Sequence, residues 1–343
     1  MNKICNNSSE KPLYICVMKK ILIILFFPLF LFSQSDVEKE NELFAVFYNV
    51  ENLFDTIDNP NTKDDEFLPI SEKKWDTYRY HYKLNQLEKV FKKIIEKENK
   101  NNLPDIIGLC EVENNFVVED LLKTEIFKKH RYQIIHKQSP DGRGIDCALL
   151  VNKKFEVLKS DFIKINNPKQ SRATRDIVYS KLKFKNDIIN VFVNHWPSRW
   201  GGQEASNHKR VFVAKVLRKY IDQNTSRNDF NLIMGDFNDY PSNESLAEVL
   251  VKEDLVNLMS SSHVSGRGSY NYRGNWDWLD QIIISKEFSD FKLIKFGAFE
   301  EEFMMYTNKK DEVYPSKSFG GNKWYGGYSD HLPVFLRIGH QSF

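Results

Sequence analysis

Short apolar runs that end next to polar side chains recur along the chain and constrain its fold more than any other feature. We predict β-strands at residues 43–50, 105–110, 147–151, 187–194, 230–234, 279–284 and 333–338. Between these runs, apolar side chains recur at helical spacing over residues 75–98 and 208–221. Strands that alternate with helices predict an α/β protein whose sheets are covered by helices on their outer faces.

The N-terminal segment has the features of an export signal. An apolar run over residues 21–32 directly follows Lys19 and Lys20, and it ends at a short stretch of small polar residues. The run is too short for a transmembrane helix, which needs roughly 20 apolar residues. We therefore predict a secreted or periplasmic protein with no stable membrane span after signal removal, and an uncleaved anchor is the alternative.

The position of Met18 sets the predicted boundaries of this segment. Because Met18 stands just before the two lysines, we predict that translation starts there and that residues 1–17 are a misassigned extension. Residues 18–35 would then be the signal peptide and residues 36–42 a linker. Residues 43–343 would form one catalytic domain.

Charge and composition fit a folded domain but do not name a partner. Hydrophobic residues make up 41% of the chain, which is ample material for a buried core. The formal net charge is +2, and removal of residues 1–35, with four lysines and one glutamate, changes it to −1. An anionic substrate would therefore have to meet a local basic patch and not a uniformly basic surface.

Two cysteines, Cys110 and Cys147, remain outside the N-terminal segment. Export would permit a disulfide between them. Both also lie in apolar runs, where small buried thiols are common. The sequence leaves both alternatives open.

The polar residues at the ends of the runs supply the chemistry. They are Asn49-Val50-Glu51-Asn52, Glu111, Asn194-His195, Asp236-Phe237-Asn238, Asp280 and Ser329-Asp330-His331. Since some precede their strand and others follow it, all six clusters can meet at one edge of the sheets. Each cluster alone is also typical of a solvated loop, a side-chain turn or a helix cap, but six in one chain favour a functional site.

Carboxylates and amides with few thiols favour a hard cation such as Mg²⁺. Histidines near carboxylates act as general acid and base around neutral pH. With no candidate for a covalent nucleophile, this inventory predicts metal-assisted attack of water on phosphorus.

The motifs Gly-Asp-Phe-Asn at residues 235–238 and Ser-Asp-His-Leu-Pro-Val at residues 329–334 resemble those of the endonuclease/exonuclease/phosphatase superfamily. This superfamily includes deoxyribonucleases, apurinic endonucleases, bacterial sphingomyelinases and inositol polyphosphate phosphatases. The resemblance runs from about Leu43 to Ile338. It implies an α/β (α+β) four-layer sandwich, with two mixed β-sheets packed face to face, helices on the outer faces, and one active site across the sheet edges.

The resemblance also implies roles for individual residues. The implied metal ligands are Asn49, Glu51, Glu111 and Asp330, with Glu111 as the principal one and Mg²⁺ as the cofactor, for which Mn²⁺ or Ca²⁺ would substitute. The implied catalytic residues are His195, Asp236, Asn238, Asp280 and His331, and Asp280 would orient the ring of His331. Arg175 resembles an arginine that deoxyribonuclease-like and sphingomyelinase-like members place near the scissile phosphate, whereas His195 departs from the apurinic endonuclease pattern.

Substrate-binding residues are predicted from two segments in which arginines stand beside aromatic residues. Arg199 precedes a tryptophan, and Tyr272, Arg273 and Trp276 lie close together. Such mixtures hold phosphates and stack on bases, although they are also typical of aromatics packed under a loop with surface arginines. We therefore predict a secreted, monomeric, divalent-metal-dependent phosphodiesterase, an endonuclease that hydrolyses DNA or RNA.

Three alternatives stay open: a sphingomyelinase-like enzyme, a sugar or inositol phosphate phosphoesterase, and a non-catalytic binding module of the same fold. The intact set of acidic and histidine residues argues against the binding module.

Overall fold

The computed structural model describes residues 42–99, 102–169, 172–260, 267–286 and 291–340. The predicted extension at residues 1–17, the signal peptide at residues 18–35 and nearly all of the linker at residues 36–42 lie outside the described residues. Within the described ranges, no helix is both long enough and apolar enough to span a membrane.

The described residues form 18 strands and three α-helices. The strands are β1 (Glu42–Leu53), β2 (Ile106–Val112), β3 (Tyr132–His136), β4 (Asp146–Asn152), β5 (Glu156–Ile163), β6 (Ile177–Phe184), β7 (Asp187–His195), β8 (Phe230–Asp236), β9 (Leu255–Asn257), β10 (Tyr270–Tyr272), β11 (Asn275–Asp277), β12 (Asp280–Ser285), β13 (Phe291–Ala298), β14 (Met305–Thr307), β15 (Val313–Pro315), β16 (Phe319–Gly320), β17 (Lys323–Trp324) and β18 (Val334–His340). The helices are α1 (Thr77–Glu98), α2 (Asn115–Leu122) and α3 (Gln203–Asn224).

Two six-stranded mixed sheets form the centre of the fold. Their strand orders are β13-β18-β1-β2-β4-β3 and β5-β6-β7-β8-β12-β9. The pairs β1–β2 and β7–β8 are parallel, and the other neighbours are antiparallel. The predicted architecture of two mixed sheets in an α/β sandwich is confirmed.

Alternating side chains of β1 show how the layers pack. Phe44, Val46 and Tyr48 face a core that α1 and α2 also line, whereas Ala45 and Phe47 face the core between the two sheets. On the far side, α3 packs on the second sheet through a third core. All of these side chains are almost fully buried, so the apolar pattern of each strand fixes which face it turns to each layer.

The two predicted helices, α1 and α3, begin at residues other than the predicted ones. The α1 helix starts at Thr77 because the side chain of Asp76 accepts the backbone N–H of Arg79, while Trp75 turns into the core. The α3 helix starts at Gln203, five residues before the predicted start, and its first turn is too polar to show an apolar period. Residues 314–327 contain the short β16–β17 hairpin.

Within the two large sheets, the strand predictions missed β3, β5, β6, β9 and β13. Four of these, β3, β5, β9 and β13, are edge strands, and β5 is largely exposed, so their sequences lack long apolar runs. Cys110 and Cys147 lie opposite each other on β2 and β4, and both are buried and free.

Gly235 allows the parallel strands β7 and β8 to approach each other near the ends that carry His195 and Asp236. It pairs with Asn194, and a Cβ atom on Gly235 would lie 2.4 Å from the backbone oxygen of Asn194. Backbone atoms cannot yield as a flexible side chain does. The glycine of the Gly-Asp-Phe-Asn motif is therefore a packing requirement that sets the position of Asp236.

We predict that Gly235→Ala lowers the free energy of unfolding by about 1–3 kcal/mol through overpacking. Thermal unfolding measures this as a lower Tm. Gly142→Ala is the matched control, because a Cβ at Gly142 meets no atom within 4 Å. Equal Tm values for the two variants would contradict this account of Gly235.

Candidate active site

Three neighbouring strands of the second sheet place His195, Asp236 and Asp280 side by side. Asp236 pairs with His195 across the parallel β7–β8 ladder and with Asp280 across the antiparallel β8–β12 ladder. The three side chains are buried, with at most 5% of each residue exposed. The prediction that polar strand ends meet at one sheet edge is confirmed for these residues.

His331 and Asp280 form the shortest polar contact of the site. Nδ1 of His331 lies 2.6 Å from Oδ2 of Asp280, and Nε2 lies 3.9 Å from Oδ2 of Asp236. Burial by itself lowers the pKa of His331, but the carboxylates of Asp280 and Asp236 outweigh it and hold this pKa well above its ordinary value. His331 is therefore a charged hydrogen-bond donor at neutral pH.

The imidazole of His331 is also held from two other sides. The ring of Tyr270 packs against it with 4.7 Å between the ring centroids. The backbone N–H of His331 donates to Oγ of Ser329 at 3.1 Å, and that hydroxyl donates to the backbone oxygen of Asn49. These bonds tie the Ser-Asp-His-Leu-Pro-Val motif to β1.

His195 approaches the same carboxylate from the other side with the opposite electrostatic character. Its Nε2 lies 3.7 Å from Oδ2 of Asp236 and 3.8 Å from Oε1 of Glu111. Burial lowers the pKa of His195 well below its ordinary value, and the charges of Arg175 and Arg143 lower it further. His195 is therefore neutral, and this neutral imidazole can accept a proton while His331 donates one.

Strained backbone positions the metal-side residues at the ends of β1 and β2. Glu51, Asn52 and Glu111 have φ values of 52°, 51° and 62°, in the left-handed region that is costly for residues other than glycine. The strain is compatible with specific contacts, since the N–H of Asn52 donates to Oε2 of Glu111 at 3.0 Å. In these conformations Glu51 and Glu111 both act on the buried ammonium group of Lys83.

Lys83 is a buried lysine that links these carboxylates to the loops around them. Its Nζ donates to the backbone oxygen of Tyr328 at 2.7 Å and to Oγ of Ser318 at 2.8 Å, and it lies 3.5 Å from Oε2 of Glu51. Burial lowers the pKa of Lys83, and the carboxylates of Glu51, Asp330 and Glu111 oppose that change.

The donor set at this end of the site fits a hard divalent cation. Glu51, Asp330 and Glu111 all act on one ammonium group, so negative charge exceeds positive charge where burial already raises the pKa of Glu51. The contacts of Glu51 with Ser318 and Lys83 both use Oε2. A dication held by carboxylate oxygens would offset this excess.

Asn49 and the group of Asp236, Asp280 and His331 are the other candidates for holding the cation. Asn49 donates to Asp236 at 3.1 Å and accepts the N–H of Glu51 at 3.0 Å, so both ends of its amide already connect the two halves of the site. Asp236, Asp280 and His331 offer ligand atoms within 4.8 Å of one another. Because Asp280 and His331 are hydrogen-bonded to each other, we assign the cation to the glutamates and Asp330 instead.

Asn238 and Arg175 support the loop that carries His195. Asn238, at φ 50°, donates from Nδ2 to the backbone oxygen of Trp196 and from its N–H to Asp236. The buried guanidinium of Arg175 donates to the backbone oxygens of His195 and Trp196 and to Asp141 at 3.2, 2.7 and 2.8 Å. A direct contact of Arg175 with a phosphate stays a prediction. Its hydrogen bonds to the backbone oxygens of His195 and Trp196 are present in the structure.

The predicted substrate-binding residues lie on two sides of the histidines. Arg199 is bound to the loop that follows β8, donating to the backbone oxygen of Asn238 and lying 3.7 Å from the ring centroid of Tyr240. Tyr272 and Arg273 lie at the end of the β10–β11 hairpin, which bridges to His331 through Tyr270. Trp276, on the same hairpin, packs against the core of the first sheet.

Sequence reasoning missed Lys83 and Tyr270. A signal for Lys83 was present, because it lies on the face of α1 that Tyr80, Leu84 and Leu87 bury, where a lysine is out of place. No signal singled out Tyr270, whose contact with His331 depends on how the hairpin folds back.

The chain matches the model of the Endonuclease/Exonuclease/phosphatase family over residues 44–340. It belongs to this family. Members of the family are divalent-metal-dependent phosphoester hydrolases, and the chain is accordingly a hydrolase of phosphate esters. A sequence search against curated proteins found no match.

Solved structures with the same fold include two enzymes. A humanized TDP2 of D. rerio with 14 mutations has a TM-score of 0.57 and 13% identity, over 87% of this chain and 99% of that one. The mannosyl-6-phosphatase of Bacteroides thetaiotaomicron has a TM-score of 0.55 and 16% identity, over 86% and 99%. At these identities the likeness shows the fold.

We predict that Glu111→Gln abolishes stabilisation by divalent cations and lowers kcat for bis(p-nitrophenyl) phosphate at least ~100-fold, because the principal carboxylate ligand loses its charge. Thermal unfolding in EDTA and in Mn²⁺ or Mg²⁺ gives the first effect, and steady-state kinetics the second. The exposed Glu156 on β5 provides the control, Glu156→Gln. A cation-dependent rise in Tm as large in Glu111→Gln as in the wild type would contradict the metal assignment.

Proposed function

We propose that this chain is an exported, Mg²⁺-dependent phosphodiesterase that cleaves DNA or RNA. The observation that carries the nucleic-acid part is a pair of exposed aromatic side chains on the two segments that follow His195 and contact His331. Trp200, on the loop that follows His195, is 85% exposed, and Tyr272, on the hairpin that contacts His331, is 53% exposed. Large exposed aromatics next to a site are typical of surfaces that bind a ligand.

Tyr272 has an arginine beside its ring. The guanidinium of Arg273 lies 5.2 Å from the ring centroid of Tyr272, whereas Arg199, which directly precedes Trp200, is bound to Asn238 and Asp239. Base–aromatic stacking contributes about 1–3 kcal/mol per base and tolerates any base sequence, and arginines bind the phosphates between bases. The two loops would therefore hold a strand across the site.

The side chains of the site divide the acid–base work. The cation held by the metal-side carboxylates would offset phosphoryl charge and make a nearby water more acidic. Neutral His195 accepts a proton from the attacking water, and charged His331 donates a hydrogen bond to a phosphoryl or leaving oxygen. Asp236 lies within 4 Å of Nε2 of both imidazoles, and its charge favours the charged form of His331.

Two structural neighbours support different substrate classes. A TDP2 structure of D. rerio in complex with a single strand DNA product, with a TM-score of 0.56 and 13% identity, supports nucleic acid. The mannosyl-6-phosphatase supports a sugar phosphate as the second candidate. We prefer nucleic acid because a small sugar phosphate would leave the exposed Trp200 and Tyr272 without a role.

Export rests on the basic and apolar sequence of residues 18–35. Expression of the full chain followed by fractionation tests it. Cleaved protein outside the inner membrane is the expected result, whereas uncleaved protein retained in the cytoplasm would contradict it.

We predict that the double variant Trp200→Ala/Tyr272→Ala raises KM for a single-stranded oligonucleotide at least ~10-fold, because two stacking surfaces are lost. Turnover of bis(p-nitrophenyl) phosphate should change little, since the histidines and carboxylates are untouched. The matched control is Tyr78→Ala/Tyr325→Ala, which removes two exposed aromatics elsewhere.

The wild-type substrate panel contains plasmid DNA, RNA, sphingomyelin and mannose 6-phosphate, each with Mg²⁺ and with EDTA. Nucleic acid cleavage that EDTA abolishes supports the proposal. Turnover of mannose 6-phosphate or sphingomyelin alone contradicts it.

A further inference from the structure

A cavity of about 540 Å³ opens beside the metal-side carboxylates and shares a wall with them. Glu51, Asn52 and Asp330 form that wall. The other walls come from the segment between β1 and α1, from the loop that carries Arg143, and from the start of the β16–β17 hairpin. The cavity is therefore next to the predicted metal ligands, and neither Tyr272 nor Trp200 lines it.

An interlocked aromatic cluster builds the floor of this cavity. The rings of Phe54 and Phe67 stack at 4.4 Å, and Nε1 of Trp75 donates to the backbone oxygen of Phe54 at 3.0 Å. Trp75 also packs against Phe319 with 5.9 Å between the ring centroids. Because these contacts fix the rings before any ligand binds, the cavity is preorganised.

Lys73 covers the aromatic faces that would otherwise be open. Its Nζ lies 5.3 Å from the ring centroid of Phe67 and 5.6 Å from that of Phe319, and 2.6 Å from Oε2 of Glu66. Phe67 is thus covered by Phe54 on one face and approached by an ammonium group. A molecule in the cavity would meet cations and not rings, which disfavours base stacking here.

Three further cations border the cavity with little compensation. The side chains of Lys63 and Lys317 are exposed, and neither forms an ion pair within the part of the chain that the structure describes. Arg143 lies 3.4 Å from Oδ1 of Asp141, whose other oxygen binds Arg175. Of the lining residues outside the shared wall, only Glu66 is acidic.

The backbone holds two of these cations close together. The N–H of Lys63 donates to the backbone oxygen of Gly142 at 2.9 Å. Gly144, at φ 75°, packs so tightly on Thr62 that a Cβ would lie 2.9 Å from the Cβ of Thr62. These contacts hold the backbone of Lys63 and of Arg143 together at the border of the cavity.

We propose that this cavity binds a second phosphate of the substrate, the one that flanks the scissile phosphate on the metal side. The proposal rests on the proposed nucleic-acid function and adds a requirement to it. A single diester can occupy the histidine and metal positions, but it leaves the cationic cavity empty. Efficient substrates must therefore carry a neighbouring phosphate, and each lysine–phosphate contact contributes to binding and to its salt dependence.

The test compares three dinucleotides that differ only in the flanking phosphate: TpT, pTpT and TpTp. The wild type should turn over pTpT or TpTp with a kcat/KM at least ~10-fold above that of TpT, since hydrogen bonds to charged groups contribute about 1.5–3 kcal/mol. The variant Lys63→Gln/Lys317→Gln should lose this preference and keep the wild-type rate on TpT.

The control variant Lys159→Gln/Lys183→Gln makes the same charge change on the exposed β5–β6 surface and should keep the preference. A preference that survives Lys63→Gln/Lys317→Gln would overturn the proposal. An equal loss in both variants would also overturn it, because general surface charge would then explain the effect.

Calorimetric titration of inorganic pyrophosphate in EDTA separates this proposal from the nucleic-acid function. The variant Lys63→Gln/Lys317→Gln should bind pyrophosphate at least ~10-fold more weakly than the wild type and the control variant. Equal affinities overturn the cavity proposal, whatever the dinucleotides show. If no dinucleotide turns over and the difference in pyrophosphate affinity remains, the anion site stands and the nucleic-acid function fails.

Discussion

The carboxylate of Asp236 is the group on which the rest of the site depends. It accepts the amide of Asn49 from the first sheet and the backbone N–H of Asn238 from its own loop, and it lies within 4 Å of Nε2 of both histidines. Burial raises the pKa of Asp236 to about 7, although the charge of His331 opposes this change. The charged form of His331 and the ionised form of Asp236 therefore favour each other.

The sequence predicted the parts of this site that depend on strand pattern. A polar residue at the end of an apolar strand marks the point where the strand leaves the core. His195, Asp236 and Asp280 could therefore be placed at one edge from the sequence alone. The support of the site depends on contacts between distant segments and could not be predicted in this way. Lys83 reaches Ser318 across 235 residues, and Arg175 reaches Asp141 across 34. The left-handed backbone of Glu51 and Glu111 also has no local sequence signal, because glutamate does not favour it.

The division between strands and loops also separates chemistry from substrate choice. Family membership and the strand-end residues account for phosphoester hydrolysis, which the fold shares with enzymes that act on different molecules. Trp200 and the cations of the cavity lie on connecting segments, where binding residues of enzymes concentrate, and Tyr272 ends a short hairpin strand. The exposed aromatics near the histidines and the cations near the metal-side carboxylates are the features on which the proposed nucleic-acid substrate rests.

The kcat of Asp236→Asn for a simple diester such as bis(p-nitrophenyl) phosphate, in Mg²⁺, tests the central claim most directly. Asparagine has nearly the same shape, so the variant should still fold, although it can accept only one of the two hydrogen bonds and its Tm should fall. Loss of the carboxylate between the two imidazoles should lower kcat at least ~1,000-fold. A variant that folds normally and keeps kcat within a few-fold of the wild type would contradict the account.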